Sequence, residues 1–120
     1  MVTPEESSGD SLDPAWRVDD RGEVRCPRDA LDLANAHEVM DVATRIQDRD
    51  VTLDLTEVTF IDAYGIGRLV DASALLARRG HRLRVVNASS TVARTLRIAD
   101  VGWLLDADPN ADSPRRSSST

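Results

Sequence analysis

Residues of the kinds that most often do chemistry are few in this chain, and they do not stand at catalytic spacing. There are two histidines, His37 and His81, and one cysteine, Cys26. Neither histidine has a Cys or another His at the spacing of a metal site. The segment GIGRLV begins like a dinucleotide-binding fingerprint, but Val70 stands where that fingerprint has its third glycine. We therefore predict no catalytic residue, no metal site and no cofactor, and we expect a protein that is not an enzyme.

Three carboxylates, Asp54, Asp62 and Asp71, are the remaining candidates for acid–base chemistry. Asp54 alternates with apolar residues in a strand-like segment, and Asp71 falls among the residues of a helix-like one, so we interpret both as solvent-facing. Asp62 stands at the turn between the two segments. It is suited to cap the following helix by accepting backbone N–H bonds at the positive end of the helix dipole. A recognition role for Asp62 is an open alternative, because capping and recognition can coexist.

The overall charge restricts the class of partner. The chain has 21 Asp and Glu residues against 15 basic residues, which gives a formal net charge of -6 and a pI near 4.8. A nucleic acid is therefore not expected as a partner, and a protein with a basic or polar surface is. No apolar run approaches the roughly 20 residues of a membrane span, so we expect no direct membrane insertion. With a single cysteine and no apolar leader, the expected location is the cytoplasm.

The distribution of apolar residues divides the chain into a core domain and two tails. Residues 1–13 and 108–120 are rich in Ser, Pro and Asp and contain few large apolar residues. Such segments cannot bury enough apolar surface to offset the entropy of ordering. We therefore predict flexible tails at both ends and one folded domain over residues 14–107.

Within the domain, the apolar spacing alternates between strand-like and helix-like segments. It predicts a hairpin over residues 16–26, a helix over 32–47, a strand from Val51 to near Phe60, a helix ending at Gly80, a strand over 83–86 and a helix capped by Ser89 or Ser90. The final apolar group, residues 101–105, is expected to fold back on the core. Strands separated by helices of this length require a mostly parallel or mixed sheet covered by helices. The predicted class is α/β.

One long stretch, VTLDLTEVTFIDAYGIGRLVDASALLARRGHRLRVVNASSTVARTLRIADVGWLL, resembles the central and C-terminal part of a STAS domain. The most specific features are a strand followed by Asp, two residues, Gly, an apolar residue and Gly, and the later segment VVNASSTVARTLRIAD. The resemblance extends upstream through DALDLANAHEVMDV and covers roughly residues 14–107. STAS domains occur in anti-sigma factor antagonists and in the tails of sulfate transporters. The implied fold is a small mixed sheet with helices packed mainly on one face.

The resemblance also implies a function. A STAS antagonist binds an anti-sigma factor, often a serine kinase-like protein, and so frees a sigma factor. In that family the turn commonly reads Asp-Ser-Ser-Gly, and the first Ser is the phosphorylation switch. Aligned on Asp62 and Gly65, the switch position is Ala63 and the second Ser is Tyr64. No phosphorylation is expected at Ala63, and this domain would not be switched off in the way that its relatives are.

The expected partner-binding residues surround that turn: Asp32, Asp62, Ala63, Tyr64, Gly65, Ile66 and Gly67. Tyr64 offers a large amphipathic anchor, and the two glycines are expected to let a partner approach the backbone. Upstream, Asp29 and Ala30 replace the usual Gly and Glu of the family, while Asp32 is kept.

Two other functions stay open at this point. One is a non-switching STAS subunit of a larger signalling or transporter assembly, and the other is a small-ligand sensor. The partner is an anti-sigma factor or another regulatory protein, and the sequence does not fix the oligomeric state.

Overall fold

The computed structural model describes residues 12–46 and 48–105, which form six short strands and three α-helices. In chain order these are β1 Arg17–Val18, β2 Glu23–Arg25, β3 Ala30–Leu31, α1 His37–Arg45, β4 Val51–Asp54, β5 Phe60–Ile61, α2 Ala63–Arg78, β6 Leu83–Val86 and α3 Ser90–Ile98, followed by a 3-10 helix at Gly102–Leu104. Among the described residues, no helix is both long and apolar enough to cross a bilayer.

The strands form one mixed four-stranded sheet and one separate parallel pair. The sheet has the order β1-β2-β4-β6, in which β1 runs antiparallel to β2 and the other pairs are parallel. Leu53, in the central strand, lies opposite Val24 on one side and Val85 on the other. Strands β3 and β5 pair with each other outside this sheet. The mixed α/β fold predicted from the sequence is therefore confirmed.

The core lies on one face of the sheet. Along β4 and β6 the buried residues alternate with half-buried ones, so that Leu53 and Val85 face inward while Thr52 and Arg84 face the other way. Helices α2 and α3 place Leu69, Leu76, Val92 and Leu96 in the same cluster. Burying one such leucine contributes about 1.5–3 kcal/mol relative to exposing it. Burial on a single face explains why the helices cover that face and leave the opposite one open.

The sequence predicts one strand from Val51 to near Phe60, but the structure has an interruption in this segment. Strand β4 ends at Asp54, whose Oδ1 atom accepts hydrogen bonds from the backbone N and the Oγ1 of Thr56. The Val58 N then donates to the Leu55 carbonyl and closes a turn. A side chain that bonds to the backbone two residues on favours a turn over a continuous strand. Two strands, β4 and β5, therefore replace the single one expected.

The first helix is shorter than predicted. The sequence predicted residues 32–47, whereas α1 spans His37–Arg45, and Gln47 lies outside the described residues. The preceding residues form turns in which the Asp32 carbonyl accepts hydrogen bonds from the backbone N of Asn35 and Ala36. The Asp32 carboxylate also accepts a hydrogen bond from the backbone N of Ala34. Local bonds of this kind compete with helix formation.

The two chain ends meet the domain differently from the prediction. Leu12 is buried in the core and Asp13 is paired with Arg28, although both were assigned to the N-terminal tail. At the other end, Leu104 is buried and Leu105 bridges to Val85, as expected for a segment that folds back. Trp103, in contrast, is 60% exposed. The rest of both predicted tails lies outside the described residues.

A charged cluster fixes the N-terminal residues to α1. Arg28 donates two hydrogen bonds to Glu38, from Nε to Oε1 at 2.8 Å and from Nη2 to Oε2 at 2.9 Å. The indole N–H of the buried Trp16 donates to the same Oε1 at 2.9 Å. Partial burial raises the pKa of Glu38, but the bonds from Arg28 and Trp16 lower it by more, so the net pKa lies below its ordinary value.

The depressed pKa of Glu38 predicts an acid-sensitive contribution to stability. A carboxylate with a lower pKa in the folded state stabilises the fold above its unfolded pKa, about 4.3, and loses that effect as the pH falls through the folded value. We expect Glu38→Gln to lower the free energy of unfolding at pH 7 by about 1.5–3 kcal/mol. The difference from wild type should shrink below pH 4. Urea unfolding followed by circular dichroism from pH 3 to pH 7 measures both effects.

Asp41→Asn is the matched control for this prediction. Asp41 lies on the same helix, and its side chain has no hydrogen bond or ion pair with another described residue. This variant removes a carboxylate from α1 without removing such a bond, so its free energy of unfolding at pH 7 should stay within about 0.5 kcal/mol of wild type. A constant stability difference between Glu38→Gln and wild type across the pH range would show that the charge of Glu38 is not what stabilises the fold.

Candidate functional site

Helix α2 begins with a side-chain cap from Asp62. The backbone of Asp62 is extended, with φ -111 and ψ -173, and its Oδ1 accepts a hydrogen bond from the Gly65 N at 3.0 Å. The Asp62 carbonyl accepts the first helical bond, from the Ile66 N at 2.9 Å. This is the geometry of an N-cap. The capping role expected for Asp62 is therefore present in the structure.

The β3–β5 pair brings the two predicted acidic residues to the same edge. Leu31 lies opposite Ile61 in a parallel register, and the Asp62 N donates to the Leu31 carbonyl at 3.2 Å. Asp32 and Asp62 are the next residues along each strand, so they leave the paired strands side by side. Asp32 is half-buried and holds its own turn through the Ala34 N. The sequence placed Asp32 at the edge of the site, and the structure places it beside the start of α2.

Gly65 has a packing role that the sequence analysis did not anticipate. Its buried Cα faces β3, and a Cβ there would lie 2.4 Å from the Leu31 carbonyl oxygen and 2.7 Å from Cγ1 of Ile61. The missing side chain therefore lets α2 approach β3 within the domain, and the expectation that Gly65 opens the backbone to a partner is wrong. Gly67 is different, because a Cβ there would meet nothing within 4 Å.

The side chains that the turn presents to solvent are Ala63 and Tyr64. Ala63 is exposed, and Tyr64 is 58% exposed in the first turn of α2. Ile66 is half-buried and packs against the core, so it lies at the margin of the site. Leu33, which follows Asp32, is 68% exposed and was not among the predicted residues. The sequence did contain a feature that could have identified Leu33, because it is an apolar residue in a polar turn and directly follows Asp32.

The two histidines and the cysteine lie outside the turn between β5 and α2. His37 begins α1, whereas His81 follows α2 and its Nδ1 lies 3.3 Å from Oδ1 of Asp50. Burial raises the pKa of the Cys26 thiol to about 11, so this cysteine is protonated at neutral pH. Among the described residues, no group of three or more His, Cys, Asp and Glu side chains could hold a metal ion.

Comparison with known protein families matches residues 24–110 to the STAS domain. This chain belongs to the STAS domain family. The matched range runs from Val24, within β2, past the 3-10 helix, and therefore includes the whole turn between β5 and α2. The resemblance predicted from the sequence is confirmed.

Solved structures agree on the STAS fold. A Thermotoga maritima protein described as an anti-sigma factor antagonist matches with a TM-score of 0.64 and 19% identity, over 92% of this chain and 98% of that one. The murine anion transporter Slc26a9, in its inward-facing state, matches with a TM-score of 0.55 and 22% identity, over 63% of this chain and 13% of the transporter. No curated protein matches the chain by sequence.

The contact at Gly65 leads to a prediction about the stability of the STAS domain. Gly65→Ala would place a Cβ against backbone, which cannot move as a flexible side chain can. We expect it to lower the free energy of unfolding by roughly 1–3 kcal/mol. Gly67→Ala, on the same helix with open space around it, should instead raise stability by about 0.5–1 kcal/mol. Thermal unfolding of both variants measures the difference, and two shifts of the same sign would contradict the assigned packing role.

Proposed function

We propose that this STAS domain is a regulatory protein-binding module of the anti-sigma factor antagonist type, and not an enzyme. Its proposed site of action is the cytoplasm, and its proposed partner is an anti-sigma factor. The observation that carries the proposal is the exposure of Tyr64 at the Asp62-capped start of α2. Tyrosine is among the residues that most often dominate binding at protein interfaces.

Two features around Tyr64 support a protein partner. Leu33, on the turn after β3, is also exposed, so two large side chains with apolar surface are available near the adjoining strand ends. One stripe of α2, formed by Ala63, Gly67, Val70 and Ala74, is exposed or half-buried and uncharged. The neighbouring stripe, which continues from Tyr64, carries the exposed ion pair of Arg68 and Asp71. The solvent side of a helix ordinarily carries polar and charged residues. An uncharged outer stripe beside an exposed tyrosine fits a surface that a partner covers.

The proposed partner surface consists of Asp32, Asp62, Ala63, Tyr64, Ile66 and Gly67, with Leu33 added from the structure. Gly65 contributes by setting the position of α2 and not by direct contact. Asp62 contributes by holding the first turn in place, since its carboxylate accepts the bond from the Gly65 N.

Ala63 defines the regulatory state in this proposal. It is exposed at the first position of α2, where the family commonly carries the phosphorylated serine. A phosphate there would add about -1.5 to -2 charges beside Asp62, and would repel a closely fitted or acidic partner. Alanine has no hydroxyl to accept a phosphate. The domain is therefore proposed to stay competent for binding regardless of kinase activity.

The proposed partner surface is tested by truncating the side chain of Tyr64. Affinity purification from the native cell with the wild-type domain should recover an anti-sigma factor, which can then be purified for calorimetric titration. Tyr64→Ala should weaken its binding by about 2 kcal/mol, or roughly thirtyfold. Arg78→Ala, exposed in the last turn of α2, should change the affinity little. Circular dichroism should show that both variants are folded. Equal affinities for wild type and Tyr64→Ala would place the interface elsewhere.

The proposed lack of a phosphorylation site at position 63 is tested by introducing a serine there. Ala63→Ser should accept a phosphate from a partner that has kinase activity, because the hydroxyl would stand in an exposed first helical turn. Ala74→Ser is the matched control, since it adds a hydroxyl to the same helix, exposed but outside the capped turn. Mass spectrometry after incubation with the kinase and ATP should find phosphate on Ala63→Ser alone. Phosphate on the wild-type turn, at Tyr64, would refute the proposed unswitchable state.

A second candidate function is a non-switching STAS subunit of a larger signalling or transporter assembly. The absence of a hydroxyl at Ala63 favours it, because a scaffolding subunit requires no covalent control. The same affinity purification separates the two functions. Transporter subunits recovered with the wild-type domain would support the second one, and an ATPase-like anti-sigma factor would support the first.

A further inference from the structure

The face of the sheet that the helices leave open is lined by charged side chains. It forms an open concavity of about 680 Å³, whose lining includes Arg17, Arg25, Asp54 and Arg84. A second concavity, of about 430 Å³, lies next to it, and Arg17 and Arg25 line both. These two arginines therefore stand between the concavities, on β1 and β2 at one side of the sheet.

Arg17 and Arg25 lie directly opposite each other across the antiparallel β1–β2 pair. Both are exposed, and like charges in directly opposite positions destabilise a sheet. Arg25 is partly compensated by an ion pair with Glu57 at 2.9 Å, and its charge also acts on Asp54. The Arg17 guanidinium has no hydrogen bond or ion pair with another described residue.

Besides Glu57, three carboxylates belong to this face, because Asp19, Glu23 and Asp54 line the first concavity. Asp19 Oδ1 accepts hydrogen bonds from the backbone N of Arg21 and Glu23, at 2.8 and 2.9 Å. Asp54 Oδ1 accepts from Thr56 at the end of β4. Glu23 lies opposite Thr52 in the parallel register, two residues before Arg25 on β2. Asp54 lies directly opposite Arg25 in the register and offsets its charge, whereas no acidic residue of the described strands lies opposite Arg17. The Arg17 donors are therefore available for direct contact.

We propose that Arg17 and Arg25 form a second docking point, which binds an acidic, extended segment of a partner protein. Carboxylates in such a segment would receive hydrogen bonds from Arg17 and separate the two like charges. The two adjoining concavities are open, whereas small-molecule sites enclose most of their ligand. This surface is independent of the α2 turn.

The direct test is a titration of the full chain with a fluorescein-labelled octaglutamate peptide at low ionic strength, where exposed charges are screened least. Arg17→Gln should weaken binding about fivefold, the upper range for one exposed ion pair. Arg21→Gln is the matched control. Arg21 is an exposed arginine in the β1–β2 turn, does not line either concavity and should change the affinity less than twofold. Equal weakening by both variants would overturn the proposal, since it would reflect net charge alone.

Thermal unfolding of the same variants distinguishes a binding role from a structural one. If Arg17 opposes Arg25 without compensation, Arg17→Gln should raise the Tm by about 1–3 °C. A lower Tm would mean that Arg17 stabilises the fold, and would overturn its assignment as a residue left free for a ligand.

Two further measurements test the identity of the occupant. The first is competition by inorganic phosphate. If phosphate displaces the peptide when both supply about the same concentration of negative charge, the arginines bind small anions in general and do not form a peptide-binding surface. The triple variant Glu5→Gln, Glu6→Gln and Asp10→Asn removes the acidic groups before residue 12. A severalfold gain in peptide affinity for this variant would show that the chain's own N-terminal segment competes for the arginines. Unchanged affinity supports a segment from another protein.

Discussion

The close approach of α2 to β3 at Gly65 determines the geometry of the candidate site. Gly65 lies so near the Leu31 carbonyl that a single methyl group would not fit, and the same carbonyl accepts the hydrogen bond from the Asp62 N. One backbone oxygen therefore fixes both the end of β5 and the start of α2. The position of Tyr64 follows from this contact, because a residue in the first turn of a helix moves with the helix axis.

This constraint separates the residues that build the turn from those that can act on a partner. Asp62 and Gly65 are both occupied within the domain, one by capping and one by packing. Ala63 and Tyr64 lie between them and face solvent. The turn can therefore keep its shape while these two positions change, which is consistent with an alanine and a tyrosine standing where the family commonly has two serines. Under the proposed function, alanine at position 63 removes a control point without altering the scaffold.

The sequence predicted those features that depend on local interactions. The cap at Asp62, a serine cap at Ser89 or Ser90, the strands β4 and β6, and the end of α2 before Gly80 all follow from residues close together in the chain. The two-residue strand β3 was not predicted, because only its pairing with β5, some thirty residues away, makes it a strand. The packing role of Gly65 was missed for the same reason, since its neighbour Leu31 is distant in sequence. Periodicity also assigned Trp103 to the core, but a 3-10 turn directs it outward while Leu104 is buried.

The two faces of the sheet have different chemistry, and this difference bears on how such a domain can act. The helical side presents one uncharged stripe beside an exposed tyrosine, whereas the open side presents arginines and carboxylates in the same rows of the sheet. Apolar contacts supply most of the affinity of a protein interface, while exposed charges mainly affect the rate and selectivity of association. A partner bound at α2 would leave the open face free, because the sheet and its buried core lie between them. If both proposed surfaces act, one partner at the α2 turn and another on the open face could be bound at the same time.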